Sequence, residues 1–165
     1  MKPLFSILFF SLSFVMTVAF QTCAPRGDGW KATKPRFKTD PAFLPYIEEF
    51  EYYSKINTRA VPIRFFHRIF GNTAGVCRFF MIKDLVIDAY IEIDQGTWES
   101  ITELQKINLI FHEFGHCIMG RQHIVITNYV ETCPPSFMYD TVLSEVCLET
   151  HYNDYIKEMF PLWTE

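Results

Sequence analysis

Apolar residues recur along this chain at two spacings, which separates helical segments from strand-like ones. After Asp40, a candidate N-cap, and Pro41, apolar side chains follow helical spacing from Phe43 to Ile56 and predict a core-packing helix. Three later runs are rich in β-branched and aromatic residues and predict strands at Val61–Ile69, Val76–Met81 and Val86–Asp94. Alternation in residues 91–94 predicts that the third strand has one solvent-facing side.

The longest helical pattern lies in the second half of the chain. It predicts a helix over Trp98–Met119 with a buried apolar stripe, and Thr97 or Ser100 is its candidate N-cap. Gly120 then supplies a C-terminal stop, because glycine adopts a left-handed conformation at little cost. The order of strands and helices predicts an α+β domain.

The C-terminal region begins with a turn and returns to helical spacing. Pro134 and Pro135 exclude a helix where they stand and imply a constrained turn. From Thr141 to Phe160 apolar residues again follow helical spacing, and one helix or two helices remain equally open because of His151 and a break near Asn153.

The N-terminal residues predict export rather than fold. Residues 1–22 carry Lys2 and then an almost unbroken apolar run, which is the layout of a secretory signal peptide. The alternative is an uncleaved membrane anchor. Residues 23–41 are rich in proline, glycine and lysine and predict an extended tether, so that residues 42–165 form a single domain.

Cys23 follows the apolar segment directly, in the context Phe20-Gln21-Thr22-Cys23. This context resembles a bacterial lipoprotein processing site, which implies a lipidated Cys23 and an exported protein attached to a membrane face in the cell envelope. Ordinary signal cleavage nearby, giving a secreted protein, is the alternative. Export permits disulfides between the other cysteines, for which three pairings are open: Cys77, Cys117, Cys133 and Cys147.

Charge and cysteine spacing exclude two classes of site. The 165-residue chain has a net charge of −4, which gives no electrostatic reason to expect nucleic acid as a partner. No two cysteines form a CxxC arrangement, so a cysteine zinc site is not expected. Cys117 points about 100° away from His116 on a helix and is interpreted as a core residue.

Residues 112–116 form an HExxH motif inside the long apolar helix. Because His112 and His116 are four residues apart, they project from one helix face and can bind one Zn²⁺ at about 2.0–2.1 Å. Glu113 is then positioned to act as the general base. His123 follows Gly120 and completes three protein ligands, which leaves a position for water. The pattern predicts a zinc-dependent hydrolase that acts on peptides or proteins.

These motifs resemble the metzincin clan of zinc peptidases, which carry HExxHxxGxxH followed by a tight turn with a methionine beneath the metal. Residues 120–123 match the Gly-x-x-His half, and Ser136-Phe137-Met138-Tyr139 looks like the methionine turn. The resemblance, closest to a divergent bacterial exported branch, implies a small zincin fold. It consists of a twisted, mostly antiparallel or mixed sheet packed on the active-site helix, with one or more C-terminal helices after the turn. It also implies that Met138 underlies the metal.

The chain departs from this clan in one place. Three residues separate His116 from Gly120, where the clan has two. The extra residue rotates the helix exit by about 100° and advances it by about 1.5 Å, which a loop after Gly120 is expected to absorb. The clan also implies that the strand before the active-site helix borders the cleft and pairs with extended substrate. Glu92 and Asp94 belong to that strand here.

Other assignments remain open at the sequence level. In the gluzincin arrangement Glu145 or Glu149 would replace His123 as the third ligand. His67 is interpreted as structural, and Tyr139 as a buried aromatic rather than a group that serves the site. The alternative function is an exported zinc-binding lipoprotein with a non-catalytic role in adhesion or scaffolding. The intact Glu113 argues against it, because a structural site needs no general base.

Overall fold

The computed structural model describes residues 35–67, 73–82, 85–124 and 133–163. The predicted signal peptide, Cys23, most of the tether and the predicted turn at residues 71–72 lie outside these residues. The described elements are a 3₁₀ helix and then, in order, α1 Leu44–Ser54, β1 Ile63–Phe66, β2 Gly75–Ile82, β3 Leu85–Asp94, α2 Gln95–Ser100, α3 Glu103–Cys117 and α4 Glu145–Met159. The predicted α+β class is confirmed. No described helix is both long enough and apolar enough to span a membrane.

The three strands form one mixed sheet in the order β1-β3-β2. β1 runs parallel to β3, with Ile63 opposite Ile91, and β2 runs antiparallel to it, with Gly75 opposite Ile93. Because β3 is hydrogen-bonded on both sides, the expectation that it pairs with substrate is wrong. Among the described residues β2 is the strand next to the candidate site.

The outer face of β3 is not the solvent-facing side that the sequence predicted. Glu92 is only 3% exposed, because Arg64 from β1 and Arg78 from β2 both bind its carboxylate. Arg78 Nε lies 2.6 Å from Glu92 Oε2. This ion cluster ties the three strands together on the face opposite the core.

The N-terminal helix begins where the sequence predicted. Asp40 accepts a hydrogen bond from the Ala42 N–H at 3.0 Å and caps a 3₁₀ turn over Pro41–Phe43, which leads into α1. Phe43 and Phe50 are fully buried. Leu44, by contrast, is about half exposed, so the apolar spacing of this segment includes a residue that lies outside the core.

The helix predicted over residues 98–119 is two helices. Asp94 caps α2 by accepting from the Thr97 N–H at 2.8 Å. Thr102 then starts α3 in a capping box, in which its backbone N–H donates to Gln105 Oε1 at 3.1 Å. Both predicted N-caps, Thr97 and Ser100, are therefore wrong.

α3 is the central helix of the domain, with the sheet on one side and α1 and α4 on others. Its side chains are buried around much of its circumference, which is wider than the predicted stripe. The buried apolar residues are Leu109, Ile110, Phe111, Phe114 and Cys117. A Cys77–Cys117 disulfide joins β2 to the end of α3, and a Cys133–Cys147 disulfide joins α4 to the segment before the turn.

α4 starts four residues later than predicted. The preceding segment is held on α3 by side chains rather than by helical hydrogen bonds: Gln105 Nε2 donates to the Leu143 carbonyl at 3.0 Å, and Asn108 Oδ1 accepts from its N–H at 2.9 Å. Ser144 then caps α4. His151 has non-helical dihedral angles, so α4 consists of two helical segments that meet at a kink, close to the break that the sequence left open.

Candidate metal centre

Three imidazole rings meet at the C-terminal end of α3. The Nε2 atoms of His112, His116 and His123 all lie 3.0 Å from one another. In the described part of the chain these three side chains form the group that is able to hold a metal ion. The separation fits a single ion that binds each nitrogen at about 2.0–2.1 Å.

Backbone carbonyls fix the protonation of two of these rings. His112 Nδ1 lies 2.8 Å from the Phe137 oxygen, and His116 Nδ1 lies 2.7 Å from the Arg121 oxygen. A carbonyl only accepts hydrogen bonds, so both Nδ1 atoms carry the proton and both Nε2 atoms present lone pairs. Lone pairs that face one another at 3.0 Å repel unless a cation lies between them. The donor set therefore fits a metal ion.

The surroundings of the rings also favour the ligating form. Burial, together with the charges of His116 and His123, lowers the pKa of His112 to about 4, although the hydrogen bond to the Phe137 carbonyl opposes the shift. Burial also lowers the pKa of His116, with an added effect of His123. Neutral imidazole is the form of histidine that binds a metal.

The extra residue between His116 and Gly120 is absorbed in a widened last turn of α3. The Met119 N–H donates to the Phe114 carbonyl at 3.3 Å, five residues back, and the Arg121 N–H donates to Gly115 at 2.9 Å, six residues back. Gly120 has a φ of 64°, as predicted for the helix stop. The adjustment thus begins before Gly120, not in the loop after it.

The predicted methionine turn packs against α3 beside His112. The Tyr139 N–H donates to the Ser136 carbonyl at 3.2 Å and closes the turn. Met138 is fully buried, and its sulfur packs directly against Gly115 in α3. The Met138 carbonyl accepts from the Ile124 N–H at 2.8 Å, which fixes the chain next to His123. The turn therefore contacts the elements that carry all three histidines.

A polar network that the sequence did not reveal holds two segments on α4. These are the methionine turn and the loop over residues 120–124 that carries His123, which we call the ligand loop. Arg121 forms an ion pair with Glu158 of α4. Glu158 Oε2 also accepts from Ser136 Oγ at 2.7 Å, and Ser136 Oγ accepts from the Met138 N–H at 2.9 Å. Because Arg121 and Phe137 supply the carbonyls that orient His116 and His112, Glu158 acts on both rings through the backbone.

Glu113 is buried beside the histidines and faces β2. A Cβ atom added to Gly75 would lie 2.7 Å from Glu113 Oε1, so only glycine leaves the carboxylate its present position. Burial raises the pKa of Glu113 to about 8, although a backbone hydrogen bond from Cys77 opposes the shift. Gly75 carried no recognisable signal in the sequence.

A cavity of about 530 Å³ opens beside the three histidines and Glu113. One wall comes from the start of β2 and the residues before it, and another from α2 and α3. The segment before α4 completes it. The lining outside the metal centre includes Thr73, Ala74, Gly75, Val76, Thr97, Ile101, Gln105, Asn108, Leu109, Asp140, Thr141 and Val142. Such a cleft has the size of a ligand site.

The remaining candidates lie outside the three-histidine group or outside the residues that line the cavity. Glu145 and Glu149 are exposed on α4 and lie outside the metal-ligating group, so the structure does not bring the gluzincin ligands together. His67 is exposed beyond the end of β1, outside that group. Tyr139 is half-buried against the core and is not among the cavity residues. Cys117 is a core residue in a disulfide.

Comparison with known proteins leaves the metal centre to be interpreted from its own geometry. No protein-family model, curated protein or solved structure matches this chain. The metzincin resemblance therefore rests on the histidine spacing, Gly120 and the turn at Met138. It remains a resemblance in motifs, and the fold that the structure supports is the broader α+β class.

Proposed function

We propose that this protein is a zinc-dependent metallopeptidase. The observation that carries the proposal is the convergence of His112, His116 and His123, with Nε2 atoms 3.0 Å apart, beside the buried Glu113. Imidazoles suit several transition metals, and Zn²⁺ fits a three-histidine set with an open position. When bound, Zn²⁺ supplies a Lewis acid and makes water more acidic.

The chain's own residues supply the other parts of the proposed chemistry. Glu113 accepts the proton of the attacking water and delivers it to the leaving amine as general base and then general acid. Phe137 and Arg121 hold His112 and His116 through their carbonyls. The cavity beside them gives an extended peptide access to the site. This arrangement matches the metzincin mechanism and supports a peptide or protein substrate.

The location of the protein follows from the sequence and is part of the proposal. The apolar N-terminal segment and Cys23 support an exported lipoprotein of the cell envelope that acts near a membrane face. The two disulfides among the described residues agree with an oxidising compartment. Labelling with a palmitate analogue, compared between wild type and Cys23→Ser, tests the lipid attachment.

The metal site is tested by the zinc content per protein molecule. We expect one zinc in wild type, retention in Glu145→Ala and loss in His123→Ala, because only His123 lies with the other two rings. Loss in Glu145→Ala with retention in His123→Ala would instead establish the gluzincin arrangement. Absence of zinc from the reconstituted wild type would contradict the proposal.

The activity is tested with an unfolded protein such as casein. Wild-type protein should cleave it in a zinc-dependent manner, and Glu113→Gln should keep the metal while losing about 10²–10⁴-fold in turnover, the usual contribution of a general base. Full activity of Glu113→Gln would refute its assignment. A wild type that binds one zinc and cleaves no peptide would favour the non-catalytic zinc-binding lipoprotein.

A further inference from the structure

Asn108 lies in the cleft, and the N–H donor of its side-chain amide is used neither by the metal site nor by the fold. It lies one helical turn before His112 on the same side of α3, where Cβ atoms are roughly 5–6 Å apart. Both side chains line the cavity. Asn108 is 1% exposed, so its polar atoms are almost completely removed from bulk water.

The orientation of the Asn108 amide is fixed by its neighbour. Its Oδ1 accepts from the Leu143 N–H at 2.9 Å, and turning the amide over would place an NH₂ group against that donor. Nδ2 is therefore held in a known direction. Among the described residues it has no hydrogen-bond acceptor.

Two other polar side chains on this wall donate hydrogen bonds within the protein. Gln105 Nε2 donates to the Leu143 carbonyl at 3.0 Å, and Thr97 Oγ1 donates to Asp94 Oδ1 at 3.0 Å. Ile101, Leu109 and Val142 are apolar. Asn108 Nδ2, which donates to none of the described residues, thus stands as an available donor on this wall.

We propose that Asn108 is a specificity-determining residue that donates a hydrogen bond to an uncharged acceptor on a substrate side chain next to the scissile bond. This inference rests on the proposed peptidase function. The ligand class is a peptide whose side chain in the cavity carries an amide or hydroxyl oxygen. An alkyl side chain would leave Nδ2 buried without a partner, which is costly.

A carboxylate side chain is disfavoured at the same place. It would give up its hydration for a single neutral donor, and the acidic side chain of Asp140 lines the same cavity and would repel it. No lysine or arginine is among the cavity residues described. The selectivity is therefore for neutral acceptors over both alkyl and anionic groups.

The sharpest probes are two peptides that differ at one position, which holds O-methylserine in one and norvaline in the other. Their side chains differ only in that an ether oxygen replaces a methylene group. The ether oxygen of O-methylserine accepts a hydrogen bond and cannot donate one, and norvaline has the same shape without an acceptor. Peptide libraries with this pair on either side of the cleaved bond are digested by the full-length zinc-loaded protein. We expect kcat/KM to favour O-methylserine by about three- to tenfold on one side, the range that one neutral hydrogen bond supplies.

Two substitutions make the comparison specific. Asn108→Asp keeps the acceptor for the Leu143 N–H and removes the donor, so the preference should reverse towards norvaline. Gln105→Glu makes the same chemical change at a cavity residue whose amide is used by the protein, and it should keep the wild-type preference. Equal rates for the two peptides in wild type, or an unchanged preference in Asn108→Asp, would overturn the inference.

A binding measurement separates this inference from the proposed activity. The Asn108 side-chain amide is assigned by nuclear magnetic resonance from its loss in Asn108→Asp. N-acetyl-O-methylserine methylamide should shift it, and the norvaline analogue should not. That selective shift without any peptide cleavage would refute the peptidase, and with it the role in cleavage specificity, while showing that Asn108 selects a neutral acceptor. Equal shifts, or no shift with either probe, would overturn the inference whatever the activity.

Discussion

Two glycines of the candidate site each lie against one side chain, Gly75 against Glu113 and Gly115 against Met138. A methyl group added at each glycine would have a different effect. At Gly75 the added Cβ would meet the end of the Glu113 side chain, with Oε1 at 2.7 Å. At Gly115 it would overlap the sulfur of Met138. Glu113 borders the cavity and can move its carboxylate into it, whereas Met138 does not line the cavity and is fully enclosed. The two alanine variants therefore separate an effect on chemistry from an effect on packing.

For Gly75→Ala we expect a protein that folds and binds zinc normally but turns over slowly. The carboxylate must move away from the new methyl group, and a misplacement of about 1 Å costs about 10²-fold in rate. Zinc content, the midpoint of urea unfolding and casein cleavage measure the three properties. Wild-type turnover would show that the position of Glu113 is not tuned by the strand.

For Gly115→Ala we expect a loss of stability of about 1–3 kcal/mol, the usual cost of overpacking a filled core. Met138 cannot move aside, because Met159 also contacts the space where the new methyl group would lie, with its Cε 3.2 Å away. Urea unfolding of the metal-free protein measures the change. If this contact is the cause, the double variant Gly115→Ala/Met138→Ala should lose less stability than the sum of the losses of the two single variants.

The ligand loop, the turn and α4 form a larger unit, because one carboxylate joins them. Glu158 binds both Arg121 and Ser136, and those two residues lie beside the carbonyls that orient His116 and His112. The order of elements along the chain does not predict that the ligand loop is held in place. Since Glu158 connects the three elements, we expect it to act on the metal site without contacting it.

We predict that Glu158→Gln lowers zinc affinity about tenfold, the lower end of what residues that support metal ligands contribute. The amide keeps one acceptor and weakens the pair with Arg121. Competition with a zinc chelator measures the affinity. Glu149→Gln, an exposed carboxylate on the same helix, is the matched control. Equal affinities for both variants and wild type would show that Glu158 does not position the ligands.

Sequence periodicity predicted the described helices and strands but not all of their ends. The boundary at Asp40 was predictable because the cap and its helix are adjacent in sequence. The break at residues 101–102 was missed because apolar spacing continues through it, although the Thr102–Gln105 capping box was a local signal. The start of α4 depends on Gln105 and Asn108, which lie far away in sequence.

The residues of the candidate site also divide into those that the sequence predicted and those that it did not. His112, Glu113, His116 and His123 were found because two short motifs carry them, and the structure brings the three rings together. Gly75 and Glu158 were missed because their roles arise from contacts between distant elements. Sequence therefore reveals groups that must share one helix face, while the groups that position them need the tertiary fold.

At the scale of the whole molecule, the three strands share one buried charge. Burial alone would raise the pKa of Glu92, but hydrogen bonds from Arg78 and Arg64 and their charges hold the pKa below the ordinary value of 4.5. The unfolded chain therefore binds this proton more readily than the folded protein does. The stabilisation is complete above about pH 4.5 and is lost as the pH falls through the lowered folded pKa.

We predict that wild type exceeds Glu92→Gln in free energy of unfolding by about 1–2 kcal/mol near neutral pH, a value reduced because both arginines are 44% exposed. The difference should shrink below pH 4.5, because a protonated Glu92 and a glutamine are both neutral. Urea unfolding of both proteins across this range measures it. A difference that stayed constant down to the acid end would show that Glu92 stabilises the sheet by packing, since a packing contribution does not depend on its charge.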